Sequence, residues 1–179
     1  MYVLFEDIRH KIHFLVKILE LIYTSDHIPK HLIGGKSRII SCVPSLTEWI
    51  VDLGLENELI GVTKFCVHPP EIRRVKTIIG GTKNLRIGQI QALNPDLIIT
   101  NKEENSREEI ELLSKNFSVY LTRISNFDDA IFELSNLSMI SGKEKRGQEL
   151  LFQIEAAKAK AKKGAHSVSA LYIIWQKPY

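Results

Sequence analysis

Residues 38–63 read RIISCVPSLTEWIVDLGLENELIGVT, and the fold turns on this stretch. RIISCV is a short β-branched run, the pattern of a buried strand. A Pro-Ser step ends it. Ser45 or Thr47 can then cap a helix across LTEWIVDLGL, which closes at Gly54. ELIGVT follows as a second strand. Strand, helix and strand in so short a span is the unit that sets two parallel strands side by side.

Downstream the same alternation continues. TIIG is a third short strand, stopped by Gly80-Gly81, and IGQIQAL is a short helix ending at NPD. DLIITN is a strand, and SREEIELLSK a helix opened by Ser106 with Glu108 and Glu109 in its first turn, where they favour the macrodipole. SVYLT is a strand and FDDAIFELSNLSMISG a helix closed by Gly142. The pattern gives the fold class as α/β, a mainly parallel sheet flanked by helices. Residues 143–163 then form one long helix with Leu150, Leu151, Ile154 and Ala157 along one face. After Gly164, VSALYIIW reads as a strongly apolar strand that begins a further unit. Upstream, Phe5, Ile8, Ile12, Leu15, Leu19 and Ile22 make one helical stripe, and SDHIPKHLIGGKS reads as a linker. The expected organisation is therefore an appendage and linker at 1–37, a lobe at 38–142, a helix at 143–164 and the start of another lobe at 165–179.

Composition bounds the function. The chain has 179 residues, 44% apolar and 25% charged, enough for a sizeable core. Its net charge is +3, from 24 basic and 21 acidic residues of mixed order. Nucleic-acid binders concentrate basic residues on one face. The dense run KAKAKKGAH instead alternates with Ala like a solvated helix end, so no nucleic acid is expected as a partner. Charges at Glu6, Asp7, Arg9, Lys11, Lys17 and Glu20 interrupt any secretory core near the N-terminus. No window has the ~18 apolar residues of a membrane span.

Five motifs in order, RIISCVPSLTEWIVDLGL, IGVTKFCVHPPE, GGTKN, QALNPDLIITNKEEN and YIIWQKPY, resemble the substrate-binding proteins of ABC importers. The similarity runs over residues 38–179 and is to the cobalamin and iron-siderophore class with a helical backbone. That resemblance implies two α/β lobes joined by one long helix, with a metal chelate held between them. Residues 38–142 would be the N-terminal lobe, 143–164 the connecting helix and 168–179 the first strand of the second lobe. Cobalamin, haem and ferric siderophores are the implied ligands, and a membrane permease the implied partner. No intrinsic cofactor or metal and no enzymatic activity are implied.

Parallel sheets bind ligands beyond the carboxyl ends of their strands. The loops there carry Pro44, Ser45 and Thr47; Lys64, Phe65 and His68; Gly81, Thr82 and Lys83; and Lys102, Glu103 and Asn105. These residues are the candidate ligand-binding set. Free N–H groups behind Ser45 would suit a carboxylate or phosphate edge, while Ser45 and Thr47 serve equally as helix caps. Lys64, Lys83 and Lys102 each follow a strand and can converge on one rim, or remain solvated surface lysines.

FCVHPPE, residues 65–71, contains Cys66 and His68. A zinc or iron site needs three or four ligands, and no other Cys or His lies in the matching loops. A thiol nucleophile would need His68 as base and a third group to orient it. Side chains two apart on an extended segment point the same way, so the pair could meet, but nothing nearby completes the set except Glu71, beyond two prolines. Pro69-Pro70 stiffens the loop instead, and the stretch reads as a rigid, ligand-facing one. Where the family's N-terminal lobe carries its docking carboxylate, this chain has Gly88, which makes no ion pair. By resemblance the protein works in the periplasm or cell envelope. A cytoplasmic stand-alone module that uses the lobe for interaction, without transport, is the alternative.

Overall fold

A computed structural model describes residues 37–163. The stripe at 5–22 and the VSALYIIW strand lie outside those residues. Five parallel strands form the main sheet: β1 (Ile39–Ser41), β2 (Leu59–Val62), β3 (Thr77–Ile78), β6 (Leu97–Asn101) and β7 (Val119–Thr122). A two-stranded antiparallel hairpin, β4 (Gly80–Gly81) and β5 (Asn84–Leu85), sits beyond β3. The helices are α1 (Pro44–Asp52), α2 (Ile72–Val75), α3 (Ile87–Leu93), α4 (Arg107–Ser114), α5 (Phe127–Ile140) and α6 (Glu144–Lys163). The α/β class with a parallel sheet is as read.

The sheet order is β3-β2-β1-β6-β7. The chain starts at the centre, steps outward through β2 and β3, and then crosses back to place β6 on the other flank of β1. Connections on opposite sides of β1 put helices on opposite faces. Successive strand residues alternate between the two cores this creates. Ile39, Leu97 and Ile99 face Leu46, Trp49, Ile50, Leu137 and Leu150, the side of α1, α5 and α6. Ile40 and Ile98 face Ile79, Ile90 and Leu113, the side of α3 and α4. Each such aliphatic side chain contributes about 1.5–3 kcal/mol by burial. The central strands are apolar on both faces, which is why they read as continuous runs.

Local chemistry sets the ends. Ser106 accepts from Glu109 N at 3.3 Å and opens α4 as expected. Asn126 does the same for α5, accepting from Asp129 N at 2.9 Å. Two expectations are corrected. Neither Ser45 nor Thr47 caps α1: Val43 holds the capping position without a side-chain bond, and Pro44 occupies the first turn, where its missing N–H costs nothing. Nor do the two glycines simply stop the third strand. Ile79 N still donates to Val62 O at 2.9 Å, and Gly80 then turns the chain into the hairpin at φ 109°.

The long helix α6 forms over 144–163, with Leu150 buried, Leu151 and Ile154 half-buried, and Ala157 exposed. Gly147 lets it approach α5 closely, since a Cβ there would collide with the Ser138 side chain. Arg146 Nε also donates to Asp52 O at the end of α1, at 3.0 Å. No helix among the described residues is long and apolar enough to cross a membrane.

A candidate ligand cleft at the switch point

The carboxyl ends of β1 and β6 lie side by side where the strand order reverses. Loops leaving them in opposite directions open a crevice at this edge. Four segments meet there: the turn into α1, the loop 63–71 after β2, the β4–β5 hairpin, and residues 102–106 after β6.

The hairpin is the hub. Its Gly80 carbonyl accepts from Lys64 N at 2.8 Å, which ties it to the loop after β2. On the other side Leu85 N donates to Glu109 Oε1 at 2.8 Å, and Lys83 Nζ to Glu103 O at 3.0 Å. Asn105 Nδ2 donates to Thr82 O at 2.8 Å and to Cys42 O at 3.2 Å, joining hairpin, β6 loop and β1 loop. The loop after β6 is shaped by Asn101, whose Oδ1 accepts from Glu103 N at 2.9 Å and Glu104 N at 3.1 Å. Sequence reading missed that role. Asn at a strand end before a polar loop is the signal, because its side chain mimics a turn carbonyl.

The candidate residues divide into two groups. Ser45, Lys64, Phe65, His68, Lys83, Lys102 and Glu103 are exposed on the rim, with Pro44 and Thr82 half-buried beside them. Phe65 is 51% exposed. It lies over Gly81, whose Cβ position is 3.3 Å from Phe65 Cε2 and 3.5 Å from Lys64 Cε. The Lys64 ammonium stands 5.1 Å from the same ring's centre. The pair thus forms a cationic aromatic platform.

Thr47 and Asn105 belong to the other group. Both are buried, and their polar atoms are committed within the lobe. Thr47 Oγ1 contacts Ser41 Oγ at 2.8 Å, Val43 O at 2.9 Å and Cys66 Sγ at 3.2 Å. These side chains build the loops instead of presenting a surface.

FCVHPPE resolves in the same way. Residues 63–66 form a turn, with Cys66 N donating to Thr63 O at 3.1 Å, so the segment is not extended. Cys66 points inward, 1% exposed, against Thr47 and Thr63 Oγ1. His68 points outward. Thiol and imidazole therefore diverge, and the side chain that anchors the loop is Cys66. Among the described residues no three His, Cys, Asp or Glu side chains group where a metal ion would sit.

Charge at the cleft is set by burial. Cys42 is fully buried, and burial first, then the neighbouring Cys66 and Glu109, push its thiol far above the ordinary range. It stays neutral. Burial likewise raises the Glu104 carboxyl, with Lys83 opposing. The rim is left with the ammonium groups of Lys64 and Lys102 beside Glu103, while Lys83 is drawn onto a backbone carbonyl.

Polar, cationic and aromatic groups thus gather at the switch point of a parallel lobe, the place where open α/β sheets hold small ligands. The family model described as periplasmic binding protein matches residues 39–178, and the chain belongs to that family. It is 29% identical over 150 residues to a vitamin B12-binding protein of Vibrio campbellii, covering 81% of this chain and 54% of the relative. It is 26% identical over 118 residues to an uncharacterised ABC transporter substrate-binding lipoprotein of Bacillus subtilis, covering 64% of this chain and 37% of that one. The crystal structure of the periplasmic vitamin B12-binding protein of Vibrio cholerae superposes with a TM-score of 0.63 at 26% identity, over 71% of this chain and 50% of that one. The chain spans about half the length of the relatives it matches.

Proposed function

We propose that this lobe binds one face of a metal chelate of the cobalamin, haem or ferric-siderophore kind, for delivery to an ABC permease from the periplasm or cell envelope. The mode is binding without catalysis. The observation that carries the reading is the family match over residues 39–178, in a lobe whose switch-point rim carries Phe65, Lys64, Ser45 and Lys102. A large chelate has flat conjugated or amide-rich surfaces and ionised edges. An aromatic platform, lysines and uncapped first-turn amides of α1 match those groups. The described residues supply one wall of such a cleft.

Titration with cyanocobalamin, haemin and ferric desferrioxamine, followed by absorbance and tryptophan fluorescence, tests the proposal. One chelate is expected to bind, and Phe65→Ala to weaken it by about tenfold, the upper value of an aromatic contact, at unchanged stability. Binding that is indifferent to Phe65→Ala, or the absence of binding by every probe at about 1 mM, would refute it.

A further inference from the structure

We infer that Asn105 is a positioning residue that holds the loops of the switch-point crevice as one rigid unit. The inference rests on the ligand-cleft reading for its functional meaning, but its geometry stands apart from any ligand.

Asn105 is 3% exposed, and its amide reaches three separate segments. Oδ1 accepts from Asn101 N at 2.9 Å, at the end of β6. Nδ2 donates to Cys42 O at the end of β1 and to Thr82 O at the tip of the hairpin. These partners lie 4, 63 and 23 residues away in the chain. A primary amide presents two donors and an acceptor on one short planar group. Asp has no donor when ionised, and a hydroxyl has only one. Without Asn105 the carbonyls of Cys42 and Thr82 lose their link to β6.

Asn101 completes the clasp. Its Oδ1 gathers the amides of Glu103 and Glu104, and its Nδ2 donates to Thr122 Oγ1 at 3.1 Å. Thr122 Oγ1 in turn donates to Thr100 O at 2.9 Å. Rim residues Thr82, Lys83, Lys102 and Glu103 are thereby fixed relative to the sheet before a ligand arrives. Preorganisation of this kind lowers the ordering cost of binding. Asn105 touches no ligand itself. It acts through the loops it joins.

Hydrogen exchange on the wild-type chain and on Asn105→Asp tests this. The substitution is isosteric, keeps an acceptor for Asn101 N, and sets an oxygen against the two carbonyls. Exchange at the amides of Lys64, Leu85, Glu103 and Glu104 is expected to accelerate together by about tenfold to a hundredfold. Sheet amides such as Ile98 and Cys42 should keep their protection. Acceleration at Asn101 alone, or equally across the sheet, would overturn a loop-coupling role. Weakened chelate binding with unchanged loop exchange would make Asn105 a contact residue and overturn it too.

Should the variant fail to fold, wild-type exchange in dilute urea decides. One shared opening for Lys64, Leu85, Glu103 and Glu104 supports coupling, and separate openings refute it. The failure of every chelate to bind wild type would count against the proposed function alone, because exchange reads the clasp without a ligand.

Discussion

Gly80 and Gly81 are adjacent, both buried, and meet different surroundings, so replacing each by alanine separates two roles of the hairpin. At Gly80 the φ of 109° lies where a side chain is strained by about 1–3 kcal/mol. A Cβ there would also collide with the Asn84 carbonyl oxygen and stand 3.0 Å from Arg86 N and 3.1 Å from Leu85 Cα. All three are backbone atoms of the paired strand or of the residue that follows it, which yield only if the β4–β5 pairing opens. At Gly81 the new methyl would meet the Phe65 ring at 3.3 Å and Lys64 Cε at 3.5 Å, and those are ends of exposed side chains that can move. Gly80→Ala should therefore cost about 2–4 kcal/mol, and Gly81→Ala less than about 1 kcal/mol. Urea denaturation followed by tryptophan fluorescence reads both. In a thermal melt the first loss corresponds to roughly 3–5 °C per kcal/mol. Gly81→Ala should nonetheless perturb chelate binding, because it displaces the aromatic platform. Equal losses at the two positions, or a loss at Gly80 below about 1 kcal/mol, would refute the hairpin geometry.

Gly147→Ala tests the seat of α6. Helix propensity alone favours alanine by about 1 kcal/mol, but the overlap with Ser138 should reverse the sign and give a net loss of about 1–2 kcal/mol in urea midpoint experiments; a gain would show that the two helices have room. Gly88→Glu should stabilise, since Gly88 is exposed in the first turn of α3 and a Cβ there meets nothing within 4 Å. The expected gain is about 0.5–1 kcal/mol from propensity with a few tenths from the dipole, and a loss would show that the first turn needs glycine. Alkaline pH should destabilise the lobe in two steps. The Cys42 thiol is raised from 9.0 and the Tyr120 hydroxyl from 10.0, each chiefly by burial, with the Glu133 charge and hydrogen bond adding for Tyr120. Both are neutral in the fold, so the unfolded chain ionises first as pH rises. The stability they contribute is whole below pH 9.0 and is lost above it, first through Cys42 and then through Tyr120. Urea midpoints measured between pH 7 and 10.5 should fall from about pH 9, and Cys42→Ala should flatten the first part of that fall; a flat profile in wild type would contradict the burial of both groups.

The strands and most helices were legible because both signals that define them are local. RIISCV and DLIITN are apolar on both faces, as central parallel strands must be, and Ser106 stands where a capping side chain is needed. The hairpin was not legible. Gly80-Gly81 looks like a stop in one dimension, and only the approach of Asn84 and Leu85 in space turns it into a strand pair. The α1 cap was misread because Pro44 already satisfies the first turn, leaving Ser45 free to face outward.

At the site, residue type indicated which loops gather but not which side chains stay free. Thr47 and Asn105 have ligand-like chemistry, but their hydrogen bonds go to near neighbours such as Val43 and Asn101 and to distant loops at Cys66, Thr82 and Cys42. Cys66 and His68 were read on an extended segment, whereas a turn at 63–66 sends one inward and one outward. The exposed face of Phe65, by contrast, follows from its place within that turn.

A ligand cleft at the switch point is tested most directly by mapping amide chemical shifts of the isotopically labelled chain as a chelate is added, which detects weak binding as well as tight. Shifts should concentrate at Ser45, Lys64–His68, Gly81–Lys83 and Lys102–Glu104, and fade on Phe65→Ala. Shifts centred on α5 and α6, with the loop amides unmoved, would contradict the assignment of this edge as the binding face.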